Sequence, residues 1–220
     1  MTLEVINVET APNPTASIII LHGLGADGND FVPVAHELDL THVGPVRFVF
    51  PHGPTRPVTI NGGHVMRAWY DILGTDIARR EDEAGLRASQ ALVEALIAQE
   101  RARGIPASRI VLGGFSQGCA MTLMAGLRHS ERLAGLLGMS GYLPLADTTA
   151  AERNAANAGV PIFLAHGRSD PVIALARATA SRDALQALGY PVEWHDYPMP
   201  HSVCAQEIAD INRWLLKVLA

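Results

Sequence analysis

The chain has 220 residues, of which 48% are hydrophobic and 18% charged, with a mean hydropathy of +0.15. That is too apolar for a disordered chain, and no apolar run approaches the roughly 20 residues needed to cross a bilayer. The length suits one α/β unit covering residues 1–220. A net charge of −5, one lysine (Lys217) and no basic cluster longer than Arg79-Arg80 argue against a nucleic-acid face. The first ten residues, MTLEVINVET, carry neither a basic nor an apolar leader segment, so a cytoplasmic setting is expected. Cys119 and Cys204 form neither a metal spacing nor a disulfide framework. Both are expected to be free and buried, and no metal or cofactor is expected.

Residues 3–8 alternate in polarity and read as an antiparallel edge strand. The runs 17–21, 46–50, 110–115, 133–139 and 160–165 are nearly continuous in apolar residues, as in strands covered on both faces. Between them lie amphipathic segments at 30–40, 82–103, 117–128, 173–188 and 203–219. In 82–103, Leu86, Val93, Leu96 and Ile97 share one face, and Gly104 and Pro106 follow its end. Strands alternating with helices predict a mostly parallel sheet with helices on both faces. Residues 51–80 fit neither period: they hold Pro51, Pro54 and Pro57, a Gly62-Gly63 turn, Trp69 and Tyr70. A connection this long within a compact domain is usually functional.

Gly114-Phe115-Ser116-Gln117-Gly118 follows a predicted strand and precedes a predicted helix. A G-x-S-x-G turn in that context holds its serine in a strained conformation, needs small residues two positions to either side, and exposes the serine oxygen at a helix N-terminus. With 20 glycines in the chain the bare pattern carries little weight; the strand and helix around it carry the argument. A serine nucleophile needs a histidine base and an acid to orient it. Of the downstream histidines, His129 falls in the helix after the serine, His166 ends a strand, and His195 sits in the strand-like run 192–197. His201 follows Tyr197-Pro198-Met199-Pro200 on a loop, the type of placement that reaches over a strand end. Among the acids, Asp183 and Asp210 fall within helices. Asp170 stands in the loop after 160–165, at a carboxyl end, where it is also a natural helix N-cap; Asp196, next to His195, is its main competitor. Residues 22–28, His22-Gly23-Leu24-Gly25-Ala26-Asp27-Gly28, match neither a phosphate loop nor a dinucleotide fingerprint. Such a loop can aim backbone N–H groups at an oxyanion, the donors being Leu24 N–H and Gln117 N–H.

Taken in order, LHGLGADGNDF, GPTRPVTINGG, MRAWYDI, GFSQG, HGRSDPV and YPMPH resemble the bacterial carboxylesterases of the acyl-protein-thioesterase and phospholipase/carboxylesterase family over about residues 17–215. The resemblance implies an α/β-hydrolase fold without a large cap and a triad of Ser116, Asp170 and His201, which favours Asp170 over Asp196. It implies oxyanion donors at Leu24 and Gln117. The expected substrate is a short-to-medium acyl ester, with an acyl thioester or acylated protein as the alternative and homodimerisation as a compatible state. A hydrolase-fold binding protein without turnover is the alternative from another class. Two positions depart from the family pattern: Cys119 and Pro200 each stand where glycine is usual, and Pro200 stiffens the histidine loop. In that frame, Trp69, Met66 and Leu73 are expected to supply an apolar wall for the acyl group, and Asp71 to tie down its loop.

Overall fold

The computed structural model describes residues 3–74 and 81–220; Arg79-Arg80 and the rest of 75–80 lie outside them. Among the described residues, seven strands form one sheet in the order β1-β3-β2-β6-β7-β8-β9. They are β1 (Val5–Glu9), β2 (Ala16–Leu21), β3 (Val46–Pro51), β6 (Ile110–Phe115), β7 (Gly135–Met139), β8 (Ile162–Gly167) and β9 (Val192–Tyr197). Only β1 is antiparallel, at the edge beside β3. The remaining pairings are parallel.

Strand alternation divides the core in two. Ile19, Leu21 and Leu112 face α2 (Glu83–Ala102) and α3 (Gln117–Gly126), together with Leu86, Val93, Leu96 and Ile97. Ile18, Ile20, Phe48, Val111, Leu137 and Phe163 face α1 (Val32–Glu37) and α6 (Ala205–Val218), where Ile211, Trp214 and Leu215 pack on them. A strand buried on both faces has no polar side, which is why these runs read as continuous. Helix α3 is buried at all ten positions, between α2 and the sheet. Two further helices, α4 (Ala146–Glu152) and α5 (Leu175–Ala187), follow β7 and β8. No described helix is long and apolar enough to cross a membrane.

Element ends differ from the sequence reading for local reasons. Strand β7 starts at Gly135 because the Leu133 N–H is taken by Asn157 Oδ1. Strand β8 runs on through His166 and Gly167 because they pair with Asp196 and Tyr197. His129 lies just past α3, bonded to Glu94, and not within the helix. The aperiodic stretch contains a hairpin, β4 (Thr55–Val58) against β5 (His64–Arg67), whose turn uses left-handed Gly62 and Gly63. Asp71 accepts from Thr59 N–H and Oγ–H and so ties the hairpin to the following chain.

Near the start of α6, Glu207 is fully buried. Burial pushes its carboxyl up to about 8, against the pull of the Cys204 backbone amide, which lies outside good hydrogen-bond geometry. The folded chain therefore holds this proton more tightly than the unfolded one. The associated stability is complete below the model-peptide range near 4.5 and is lost as pH rises through about 8. Thermal melts from pH 5 to 9 should show wild type losing several degrees more than Glu207→Gln, with the gap widening from about pH 5 and levelling off above about pH 8. Parallel curves would mean that the carboxyl ionises without cost.

Candidate active site

Four loops at the carboxyl ends of parallel strands converge, where α/β sheets build their sites. The tightest is the turn from β6 into α3. Ser116 sits at φ 55°, ψ −114°, in a region L-residues rarely occupy. Its N–H donates to the Met139 carbonyl at 2.8 Å. A Cβ at Gly114 would overlap the Gly118 backbone, and one at Gly118 would overlap the Leu21 carbonyl. The two glycines are thus required because the turn is pressed against itself and against the end of β2.

Ser116 Oγ lies 2.9 Å from His201 Nε2, and His201 Nδ1 lies 2.6 Å from Asp170 Oδ2. The other carboxylate oxygen, Oδ1, accepts the N–H groups of Val172 and Ile173 at 2.8 and 2.9 Å. Asp170 thus caps its turn and faces the histidine at once. Four residues of sequence, 197–200, bring His201 into place by docking on the end of β8. Arg168 N–H donates to Tyr197 O and Ser169 N–H to Met199 O. Gly167 makes this contact possible, since a Cβ there would overlap the carbonyls of Pro200 and Met199. The His201 ring also packs on Phe115, centroids 4.8 Å apart, which in turn packs on Phe31. The competing pair lies elsewhere: Asp196 is bound to Arg168, and His195 stacks on Phe163 with its Nε2 toward Glu193.

The loop after β2 lies beside this serine, since a Cβ at Gly23 would meet the Ser116 Cβ at 3.4 Å. His22 fixes its start. The His22 Nε2 accepts Gly53 N–H at 2.9 Å, so the proton sits on Nδ1 and is given to Gly23 O at 2.7 Å. Burial lowers the pKa of this ring, partly offset by the Gly23 carbonyl, and keeps it neutral. The loop is also stitched to β5 by Gly25 N–H to Arg67 O. Gln117, the first residue of α3, has its backbone N–H where no preceding turn can accept it. Its side chain accepts Trp69 N–H at 2.7 Å and donates to Tyr70 O at 2.7 Å.

Trp69 departs from its expected role as an acyl wall. It is fully buried, its Nε1–H donating to His22 O at 2.9 Å and its ring tilted against the His22 imidazole. A side chain with no exposed surface cannot wall an open pocket; it holds the 22–24 loop from beneath. Met66 is half-buried next to Gly25, and Leu73 is exposed, as are Val65 (62%) and Val172 (61%). Cys119 is free and buried, its thiol pushed up to about 12 by burial. Cys204 is free but only half-buried, because it caps α6 in extended backbone at the helix edge. No described cluster of His, Cys, Asp or Glu could hold a metal ion. The sequence reading passed over Gly53, Gly167 and the clamping contacts of His22. The available signal was that one buried strand ends in His-Gly and another is followed directly by it.

Fold and site together define an α/β-hydrolase without a large cap. The chain belongs to the phospholipase/carboxylesterase family, whose model matches residues 2–219. It is 40% identical over 206 residues to acyl-protein thioesterase 1 of Yarrowia lipolytica, covering 91% of each chain. It is 41% identical over 214 residues to that of Neurospora crassa, covering 93% of this chain and 87% of the relative. The crystal structure of Zea mays acyl-protein thioesterase 2 superposes with a TM-score of 0.88 at 28% identity over 99% of each chain. The Bacillus cereus carboxylesterase shares the fold at TM-score 0.77 and 20% identity, covering 97% of this chain and 94% of its own. The chain is a carboxylic ester hydrolase of the serine-esterase class. The narrower resemblance to bacterial carboxylesterases is not carried forward: these sequence relatives near 40% identity are fungal.

Two substitutions probe the site's supports. Gly167→Ala should push the 197–200 segment off β8 and lower kcat by at least about 100-fold, as misplacement by about 1 Å can. A folded variant with near-normal kcat would show that the docking does not matter. Trp69→Phe leaves the buried His22 carbonyl without its donor. It should lower kcat by the same factor for butyrate and octanoate esters; a loss that grows with chain length would return Trp69 to the acyl wall.

Proposed function

We propose that the protein hydrolyses acyl esters and acyl thioesters through an acyl-enzyme formed on Ser116, with His201 as base and Asp170 as its orienting acid. The observation that carries this reading is the unbroken chain of short hydrogen bonds from Asp170 through His201 to a strained serine. The Asp170 carboxylate accepts the His201 Nδ1–H, which leaves the Nε2 lone pair free for the Ser116 hydroxyl proton. As that proton moves to Nε2, Oγ attacks the acyl carbonyl carbon. Negative charge develops on the carbonyl oxygen within reach of Leu24 N–H and Gln117 N–H. His201 then returns its proton to the departing alkoxide or thiolate. Water, deprotonated by His201, repeats the addition and releases the acid.

Met66, next to Gly25, and the exposed Leu73 and Val65 would offer an apolar surface for a short-to-medium acyl chain. Each buried CH₂ adds about 0.8 kcal/mol until that surface ends. The thioester reading is favoured by relatives named acyl-protein thioesterase, which match nearly the full chain. It extends the substrate class to S-acylated protein, which an uncapped site admits. Rates on an oxygen ester and a thioester of one octanoyl chain separate the two: a thioester kcat/KM at least tenfold higher supports the thioesterase, and the reverse the carboxylesterase.

Ser116→Ala should cost on the order of 10⁴-fold or more in kcat without unfolding. Asp170→Asn and His201→Gln should each cripple turnover, whereas Asp196→Asn and His195→Gln should stay within about tenfold of wild type. Activity retained at a tenth of wild type in Ser116→Ala would remove the proposed nucleophile.

A further inference from the structure

Strand β8 ends on His166-Gly167, four residues before Asp170. His166 is fully buried and stands outside the chain of Ser116, His201 and Asp170. Its Nε2 lies 2.8 Å from Ile173 O and 3.3 Å from Asp170 Oδ2. Its Nδ1 has no hydrogen-bond partner among the described residues. With two acceptors before Nε2 and none before Nδ1, the proton belongs on Nε2. Burial lowers the pKa of the ring, against the opposing pull of Ile173 O and Asp170, so the imidazole is a neutral, fixed donor.

That donor closes a ring of interactions. Ile173 gives its N–H to Asp170 Oδ1 and takes the His166 proton on its carbonyl. The same Nε2 lies 3.3 Å from Oδ2, the oxygen that accepts from His201, so the N–H given to Ile173 O keeps a positive dipole beside that oxygen. We propose, on the reading of Ser116, His201 and Asp170 as a triad, that His166 is a positioning residue for the acid: it pins the 170–173 turn and sets how strongly the Asp170 carboxylate polarises His201. This goes beyond orientation by the backbone amides, because it places a second imidazole on the very oxygen that serves the base.

The charged and titratable groups around the ring are few. Asp170 and His201 come from the two catalytic loops. Asp196, across on β9, is paired with Arg168. Cys119 of α3 and Tyr142, after β7, line the same recess as His166, together with Trp194 of β9 and Ser181 of α5. The Cys119 thiol titrates near 12, and Tyr142 lies under the Arg177 guanidinium. Removing the His166 donor leaves fuller negative charge on Oδ2, which raises the proton affinity of His201.

The test uses the full chain as wild type, His166→Gln, which keeps an N–H near Nε2, and His166→Met, which removes it. Expected for His166→Met is a 10- to 100-fold fall in kcat on p-nitrophenyl butyrate. KM should stay within about twofold, and the acid limb of kcat/KM should move up by about 0.5 pH unit. Expected for His166→Gln is recovery of most of kcat and of the wild-type limb. Equal losses in both variants with an unmoved limb, or no loss in His166→Met, would overturn the proposal. Nitrogen NMR of the imidazoles in the wild type gives a reading that does not require either variant to fold. His166 should be Nε2-protonated and should not titrate from pH 5 to 9; an Nδ1–H tautomer or a titration in that range would overturn it. Fluorophosphonate labelling at Ser116, measured alongside, tests the triad separately, since its failure leaves the tautomer result standing.

Discussion

The site depends on one close approach: the start of α3 is pressed against the end of β2. Gly118 lies so near Leu21 that any side chain there would overlap its carbonyl, and Gly114 lies as near Gly118. This crossing forces Ser116 into its left-handed conformation, at a strain of order 1–3 kcal/mol that the fully buried α3 must offset by packing. It also sets the Gln117 amide beside the loop that follows β2. The Ser116 side chain and the Gln117 amide are therefore placed by one packing event.

The second constraint is the fixing of that loop from below. Residues 51–74 run under it and present Gly53 N–H, the Trp69 indole and the Arg67 carbonyl to His22 and Gly25. Gln117 then bridges α3 to Trp69 and Tyr70 with both ends of its amide. The long connection is thus a scaffold through its buried half, while its other half lies toward solvent. Trp69, fully buried, and Met66, half-buried, stand three residues apart on either side of that division.

What was legible follows from how local each cause is. The parallel strands were visible because burial on both faces removes every polar residue from runs such as ASIIIL. The strained serine was visible because its turn demands glycines at two fixed offsets. Asp170 was less visible: capping the 170–173 turn and facing His201 call for the same residue, and the composition of the loop does not separate Asp170 from Asp196. The hairpin β4–β5 was hidden because Pro57 interrupts its first strand, leaving only four residues on each side. Trp69 was misread for a geometric reason. An aromatic residue on a loop suits either a wall or an anchor, and only the approach of its indole N–H to His22 O decides between them.

The three histidines near the site hold protons for three different purposes, and their surroundings explain the division. His22 and His166 are sealed in, each with a backbone carbonyl to receive its one proton, and desolvation holds both below the usual imidazole range. In both, taking up charge would place a cation in a desolvated recess. His201 differs in having the Asp170 carboxylate on one nitrogen, a hydroxyl on the other and part of its ring exposed. It meets the Asp170 carboxylate at 2.6 Å, against 3.3 Å for His166, and it keeps some contact with solvent. The two sealed rings stand as fixed dipoles on either side of Ser116 and His201, one at the start of the 22–24 loop and one beside Asp170. In the proposed mechanism proton movement is thereby confined to His201, the ring between Ser116 and Asp170.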